Sequence, residues 1–364
     1  MLGMELVAGV SLIYMAFLFM VAYYADQKQE EGRSIISNPF IYSLSIAVYA
    51  TSWTFYGSVG RAATTGLDFL PIYLGPSLAA FAWWFLLRKI VRISKENNIT
   101  SIADFISSRY GKSQWLGAII TVIAMLGVMP YIALQLKAIS TTFNLVTGDR
   151  AIHLLLREGT SLAPPHPGLI AALCLTLFSI VFGARHLVSS ERHEGLVAAI
   201  AIESIVKLAA FFTVGVFVTY HVYDGFVDMF SRMSAKMPAL FEQLTTLGAP
   251  GNVSYNSWFS MLFLSTIAVM TLPRQFHIMV IENSSEEHIK DAMWRFPAYM
   301  FLINIFVVPI ALGGILISGS NRGADYFVLT LPLAEGHNWL AMLAFLGGFS
   351  AAAGMVIVES VAIS

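Results

Sequence analysis

Residues 45–66 read SIAVYATSWTFYGSVGRAATTG. The stretch is apolar enough to enter a membrane, yet its centre carries the hydroxyl side chains of Thr51, Ser52 and Thr54, followed by two glycines. A helix that only spans lipid has no need of these residues. A helix that opens around a ligand does, because hydroxyls and freed backbone groups can coordinate what lipid cannot. The stretch therefore predicts a binding centre in an interrupted helix.

The composition predicts an all-α, polytopic membrane protein. Of the 364 residues, 57% are hydrophobic and only 12% are charged, whereas soluble domains carry about 25% charged residues. The formal net charge of −1 gives no basis for binding nucleic acid. The single Cys174 excludes a disulfide framework and a cysteine-based metal site. The sequence has no HExxH motif, no Walker A motif and no close histidine–carboxylate cluster, which predicts neither a metal site nor an enzyme.

Nine apolar segments are each long enough to cross about 30 Å of hydrocarbon. They cover residues 5–24, 39–60, 69–93, 115–143, 168–187, 195–220, 258–281, 297–317 and 338 onward. The polar stretch 224–257 predicts one or two short surface helices. The ninth segment is still apolar at Ser364 and has no terminator, which predicts a chain cut short within a longer protein.

The basic residues orient these spans. With the N-terminus outside, 12 of the 21 Lys and Arg fall in inner segments and 6 in outer segments. The other three, Lys137, Lys207 and Arg274, lie within spans or at their edges. The positive-inside rule therefore predicts a multi-pass protein whose N-terminus is outside.

Four motifs resemble those of the sodium/solute symporter family. They are residues 98–111 (NITSIADFISSRYG), 131–135 (YIALQ), 271–277 (TLPRQFH) and 292–297 (AMWRFP). Three more are similar to one branch of that family, in which the symporter-like module is the membrane part of a sensor histidine kinase: residues 51–60 (TSWTFYGSVG), 66–70 (GLDFL) and 73–76 (YLGP). The resemblance covers nearly the whole chain.

The resemblance implies a LeuT-like fold of two five-helix inverted repeats in a bacterial inner membrane. It divides one symporter-like transmembrane domain, residues 1–364, into a leading helix at 5–24, a first repeat at 38–220 and an incomplete second repeat at 257–364. The bundle would then stop after about nine transmembrane helices. The kinase-linked branch also implies a kinase domain in cis and a response regulator as partners.

An inverted repeat predicts interrupted helices at corresponding positions of its two halves. These are the second span, with its hydroxyl and glycine run, and the seventh, with Pro273. Proline removes one helical hydrogen bond and clashes with the preceding turn.

The candidate substrate-binding residues cluster at these interruptions and in the fourth span. They are Thr51, Ser52, Trp53, Thr54, Tyr56, Gln135 and Thr271. Hydroxyls in membrane helices also bond their own backbone, and buried amides also join helices. The aromatic residues would stack on a solute, close a gate or simply pack.

The candidate ion-coupling residues are Ala50, Ser350, Glu203, Lys207 and Glu359. Glu203 and Lys207 lie at i and i+4, so they share one helix face. They form either a neutral structural pair or a proton relay, because ionisable groups at this depth are costly unless paired or hydrated. Glu359 is expected to face a helix outside this chain. Arg274 would bind a carboxylate or, as we expect, snorkel to the inner surface.

One departure from the family weighs against sodium. The resemblance implies two adjacent hydroxyl residues in the ninth span as sodium ligands, but those positions are Gly354 and Met355. Ser350 lies one turn earlier, Tyr49 stands where some members have an acidic residue, and the carbonyl of Ala50 remains. A hard cation needs about five or six oxygens. Proton coupling, facilitated entry or pure sensing therefore remains open.

Two functions follow from these observations. The first is a secondary transporter that carries a small polar solute, with an amino acid as one candidate, by alternating access. The second is a transport-inactive sensory module that regulates a C-terminal histidine kinase.

Overall fold

The structure is a computed structural model, and it describes residues 2–148, 166–183, 193–249 and 251–363. The described part is helical and contains no strand. Its α-helices are α1 (Met4–Glu30), α2 (Pro39–Ile46), α3 (Ser58–Thr65), α4 (Pro71–Phe81), α5 (Leu86–Glu96), α6 (Ile102–Ser108), α7 (Gln114–Thr147), α8 (His166–Gly183), α9 (Glu194–Phe217), α10 (Phe226–Lys236), α11 (Pro238–Thr245), α12 (Tyr255–Thr271), α13 (Pro273–Phe276), α14 (His288–Asn304), α15 (Val307–Ser318), α16 (Phe327–Ala334) and α17 (Asn338–Ile363).

Five helices in the described residues are long and apolar enough to cross a membrane. They are Met4–Glu30, Gln114–Thr147, Glu194–Val222, His288–Ser318 and Asn338–Ile363. Two bent helix pairs raise the number to seven if each pair is one span. Shorter apolar helices at Pro39–Tyr49 and Gly168–Phe182 occupy the other two predicted spans. The two short helices α10 and α11 confirm the expectation for residues 224–257.

The second span is interrupted, as its hydroxyl run predicts. Helix α2 begins with Pro39 in its first turn, where the Asn38 side chain accepts a hydrogen bond from the Phe40 N–H, a favourable start. A 3₁₀ turn, Ala47–Tyr49, then leads into extended backbone at Ala50. The chain resumes as a π-helix, Trp53–Gly57, and continues into α3.

The seventh span is interrupted at Leu272, which has extended backbone (φ −63°, ψ 134°) between α12 and α13. Proline disfavours helical backbone in the residue before it, so Pro273 explains the break and begins the next helix. The two halves of this span differ in direction by 50°. Both interruptions predicted from the inverted-repeat pattern are therefore present.

Two helix pairs make extensive contacts between distant parts of the chain. Helix α9 packs against α17, and α4 packs against α12. In the second pair the backbones approach closely at Gly75, where an added Cβ would lie 2.0 Å from Ser265 Oγ. This close approach places α12, and the break that follows it, beside the first half of the chain.

The structure corrects two predicted spans and adds one short helix. Residues 69–93 do not form one straight helix, because the chain bends by 71° between α4 and α5. The eighth span begins at His288 rather than at residue 297, with Pro297 inside α14. The short helix α16 was not predicted.

Ion pairs join the elements at one end of the bundle, which we call the basic end and define by Arg88, Arg92 and Glu286. Glu286 accepts hydrogen bonds from Arg88 Nε at 2.7 Å and from both Nε and Nη2 of Arg92. The hydrogen bonds from Arg92, and then those from Arg88, lower the pKa of Glu286 to about 2. These contacts connect α5 with the loop before α14.

Candidate functional site

A cavity of about 540 Å³ lies where the two interrupted spans approach α7. The second span contributes Tyr49, Trp53 and Thr54, and the seventh contributes Leu272, Pro273 and Arg274. The remaining lining residues come from α4 and α7: Ile72, Ile123, Ala124, Gly127, Val128, Pro130, Tyr131 and Leu134. A mostly apolar cavity with a few convergent polar groups is typical of small-molecule sites.

Helix α7 holds the broken part of the second span in place through two side chains. Thr51 Oγ1 lies 2.9 Å from the hydroxyl of Tyr131. The Ser52 N–H donates to Gln135 Oε1 at 3.1 Å. The Trp53 N–H is satisfied locally by Thr51 Oγ1 at 3.3 Å. Backbone donors freed by the break therefore find side-chain acceptors, as buried backbone groups must.

Arg274 supplies the positive charge at the cavity. Its side chain is only 3% exposed, and its guanidinium carbon lies 5.0 Å from the centre of the Tyr131 ring. Nη1 donates to Glu359 Oε2 at 2.9 Å, while Nε has no hydrogen-bond partner. The expectation that Arg274 snorkels is wrong, because Glu359 pairs with it inside the protein. The same pair corrects the expectation for Glu359, which faces Arg274.

At the break in the second span, Lys207 binds the carbonyl groups that the interruption leaves free. Its Nζ donates to the Ala47 carbonyl at 2.8 Å and to the Ala50 carbonyl at 2.7 Å. The Ile46 carbonyl accepts from Gln275 Nε2 at 3.3 Å. Lys207 is 2% exposed, so its ammonium group donates the hydrogen bonds that water would otherwise supply to these carbonyls.

Glu203 lies one turn before Lys207 and is 1% exposed. Neither of its carboxylate oxygens has a hydrogen-bond partner, so the expected direct pair with Lys207 is not formed as a hydrogen bond. The carboxylate fills the space beside Gly354, where an added Cβ would lie 2.4 Å from Glu203 Oε2. Ser350 accepts from the Tyr14 hydroxyl at 2.8 Å and donates to the Glu203 carbonyl at 3.0 Å.

A histidine–carboxylate cluster lies between α9 and α13, although no motif in the sequence indicates it. Glu282 Oε1 lies 2.7 Å from His193 Nδ1 and 3.0 Å from His277 Nε2, and Oε2 accepts from the His193 N–H at 3.0 Å. The three residues have the donor atoms of a metal site. The fold brings His193 to His277 and Glu282, which lie 84 and 89 positions later in the chain, so no local motif indicated the cluster. The prediction of no metal site stays a prediction.

Two of the seven residues predicted to bind substrate line the cavity, namely Trp53 and Thr54. Thr51 contacts the lining residue Tyr131, and Gln135 accepts a hydrogen bond from the Ser52 N–H. Ser52 and Tyr56 are buried outside the lining. Thr271 is exposed, and its Oγ1 donates to the Ile267 carbonyl at 3.1 Å, the alternative expected for a hydroxyl in a helix.

The predicted ion-coupling residues separate into two groups. Ala50, Glu203, Lys207 and Ser350 are connected by hydrogen bonds or helix neighbourhood to the break in the second span and do not line the cavity, whereas Glu359 pairs with the lining residue Arg274. The cavity residues of α7 were not predicted, apart from Tyr131 and Leu134 as parts of the motif at residues 131–135. The available signal was Pro130, a proline inside an apolar helix.

Comparisons with known proteins agree with this architecture. The chain is 24% identical over 292 residues to the uncharacterised symporter YhjB of Bacillus subtilis (strain 168), covering 79% of this chain and 53% of YhjB. It is also 24% identical over 268 residues to the osmoregulated proline transporter OpuE of the same organism, covering 71% of this chain and 49% of OpuE. The chain thus spans about half the length of these curated relatives. No protein-family model matches it.

Among solved structures, a Na⁺-coupled sialic acid symporter in a substrate-bound, outward-open state superposes with a TM-score of 0.71 at 14% identity. The superposition covers 98% of this chain and 72% of that symporter. The described part of the chain is therefore all-helical and has the LeuT-like fold of that structure, and its apolar helices are those of a polytopic membrane protein.

Proposed function

We propose that this chain is the transport part of a member of the sodium/solute symporter family and carries a small polar solute across a bacterial inner membrane. The observation that supports it is the cavity between the two interrupted spans, where Trp53, Thr54 and Arg274 converge. Interrupted helices are where transporters of this kind bind solutes and rearrange around them. The relatives described as symporters and as a proline transporter support the same function.

We further propose that the solute carries a carboxylate, as an amino acid does. Arg274 has five N–H donors, and its Nε is directed into a buried region without a partner. Glu359 accepts a hydrogen bond from Nη1, so the Nε–H of Arg274 remains available to a solute carboxylate. Tyr131 and Trp53 offer aromatic faces for the rest of the solute.

The excess of basic residues on one side supports a topology with the N-terminus outside.

Uptake by the full-length protein tests this proposal. Cells that lack their own amino-acid transporters would be given radiolabelled amino acids, beginning with L-proline. The informative variant is Gly127→Leu, because Gly127 lines the cavity and no atom lies within 4 Å of an added Cβ. Its side chain would occupy the cavity without displacing the backbone.

We expect Gly127→Leu to reduce uptake by about tenfold or more, equivalent to about 1.4 kcal/mol, at an unchanged amount of protein in the membrane. Gly9→Leu is the matched control, since Gly9 also lies in a long apolar helix with no atom within 4 Å of an added Cβ. Equal uptake by both variants would refute the assignment of the cavity. Failure of the wild type to carry any amino acid would refute the proposed solute class.

The sensory function remains a second proposal. It is favoured by the motifs at residues 51–60, 66–70 and 73–76, which resemble the kinase-linked branch and lie at or next to the interrupted second span. In that case solute occupancy would regulate a histidine kinase and its response regulator. The test is autophosphorylation of the full-length gene product with and without solute. A protein that transports but shows no phosphorylation would exclude this role.

A further inference from the structure

At the break in the second span, a positively charged side chain of the protein itself binds the free carbonyl groups. Lys207 Nζ donates to the carbonyls of Ala47 and Ala50, both freed where the helix opens. Two carbonyl oxygens that point at one position form the kind of site that attracts a hard cation. Here that position is occupied by an ammonium group attached to α9.

The other surroundings of the break do not fit a sodium ion. Gly354 and Met355 stand where the family resemblance implies hydroxyl ligands, and neither offers a side-chain oxygen. The Ser350 hydroxyl is engaged with Tyr14 and with the Glu203 carbonyl. A sodium ion would have to compete with Lys207 for both carbonyls and would gain few other ligands.

Glu203 provides the matching negative charge. Its carboxylate is buried, has no hydrogen-bond partner, and occupies the space left by the missing side chain of Gly354. A buried carboxylate needs a proton or a nearby positive charge, and Lys207 lies one helical turn away. Tyr14 on α1, Tyr299 on α14, and the Arg274–Glu359 pair between α13 and α17 are the other titratable or charged groups around this position.

We propose that Lys207 is a tethered cation that replaces sodium at the break, and that Lys207 and Glu203 together make the carrier proton-coupled. This inference rests on the proposed transport function. A proton from water on the outer side binds the lone pair of the Lys207 amine, and the ammonium then holds the carbonyls of Ala47 and Ala50. Release of the same proton to water on the inner side returns the amine and frees the carbonyls, so the break can rearrange. The Glu203 carboxylate keeps its negative charge throughout and stabilises the ammonium form of Lys207, so the only proton carried is the one on the amine.

The first test measures sodium binding and requires no solute. The unfolding temperature of the purified full-length protein is followed while NaCl replaces KCl at constant ionic strength, because a ligand that binds the folded state raises it. We expect no sodium-specific shift in the wild type. A saturable rise with sodium would overturn the replacement of sodium by Lys207, while the transport proposal would stand.

The second test uses Lys207→Met, which keeps the length of the side chain and removes its charge. We expect the unfolding temperature to fall by several degrees, because the two carbonyls lose their donor. Lys137→Met is the matched control, since Lys137 is an exposed lysine in the long apolar helix α7, and we expect little change. An unfolding temperature of Lys207→Met equal to that of the wild type would overturn the inference.

The third test measures coupling. Vesicles with the reconstituted full-length protein, an alkaline interior and no sodium are supplied with radiolabelled L-proline. We expect wild type and Lys137→Met to accumulate it, and Lys207→Met and Glu203→Gln to lose at least nine-tenths of the accumulation. Uptake that requires a sodium gradient, or that persists in Lys207→Met, would overturn the inference. If L-proline is not carried, the other amino acids are tried in turn. If none is carried, the solute proposal fails, and the sodium titration still decides whether Lys207 replaces the ion.

Discussion

Arg274 and Glu359 form a buried ion pair, with 2.9 Å between Nη1 and Oε2 and side-chain exposures of 3% and 0%. The pair joins the helix that follows the second break to α17. Removing one partner of such a pair leaves an uncompensated charge, whereas replacing both by apolar residues often costs little. The contribution of the pair can therefore be measured by comparing the free energy of unfolding of the single and double variants.

We expect Glu359→Leu to reduce the free energy of unfolding by about 3–5 kcal/mol. The double variant Arg274→Leu with Glu359→Leu should recover most of that loss, which chemical denaturation in detergent would measure as a double-mutant cycle. If the two single losses simply add, the residues do not stabilise the protein as a pair.

A second prediction concerns the space that Glu203 occupies. Alanine at position 354 would bring its Cβ to 2.4 Å from Glu203 Oε2, so Gly354→Ala should destabilise the protein by about 1–3 kcal/mol. At Gly127 no atom lies within 4 Å of an added Cβ, so Gly127→Ala should stabilise it by up to about 1 kcal/mol. Thermal unfolding compares the two variants.

The cost of Gly354→Ala should fall to near zero in the background of Glu203→Ala, because the clashing carboxylate is then absent. An unchanged cost in that background would show that the glycine is required for another reason.

The third prediction separates two roles of Gln135. Its Oε1 accepts from the Ser52 N–H, so Gln135→Leu leaves a buried donor unsatisfied and should cost about 1–3 kcal/mol of stability. Gln135→Glu keeps the acceptor and serves as the control. Loss of solute uptake in Gln135→Leu with no loss of stability would instead indicate that Gln135 contacts the solute.

The fourth prediction is a dependence on pH at the basic end. The hydrogen bonds from Arg92 and Arg88 lower the pKa of Glu286 from 4.5 to about 2 in the folded protein. A carboxyl whose pKa is lowered by folding contributes stability above its unfolded pKa and loses it as the pH falls through the folded value. The difference in unfolding temperature between wild type and Glu286→Gln should therefore be constant above about pH 5 and shrink as the pH falls from 4.5 towards 2.

Glu287→Gln is the control for this experiment. Within the described residues Glu287 forms an ion pair only with Lys290, and both side chains are more than half exposed, so its loss should matter little at any pH. A difference between wild type and Glu286→Gln that stays constant down to pH 2 would contradict the role of the two arginines.

Local features of the sequence predicted where the helices are interrupted. They did not predict which distant side chains bind the groups at these interruptions. The hydroxyl run and Pro273 act on the backbone of their own segments, so their effect can be inferred from neighbouring residues. Lys207 is 157 residues from Ala50 and Glu359 is 85 residues from Arg274. Such pairs depend on how distant helices rotate and pack, and no local pattern contains that information.

The same reason explains the mistaken expectation for Arg274. Its position near the end of an apolar segment favours an arginine that reaches towards water. The structure instead gives it a carboxylate within the bundle, from a helix that follows much later in the chain. The bend between α4 and α5 was also hidden, since no proline or glycine lies in residues 82–85.

The contacts of α1 have a mechanical consequence. In the middle of this helix, Tyr14 donates to Ser350, which in turn donates to the Glu203 carbonyl. Near the C-terminal end of the helix, Asp26 accepts from the Gly195 N–H at 2.7 Å. Helix α1 is thus bonded directly to α9 at Gly195 and, through Ser350 of α17, to the residue beside the break. We therefore expect a change in the tilt of α9 to move α1 with it.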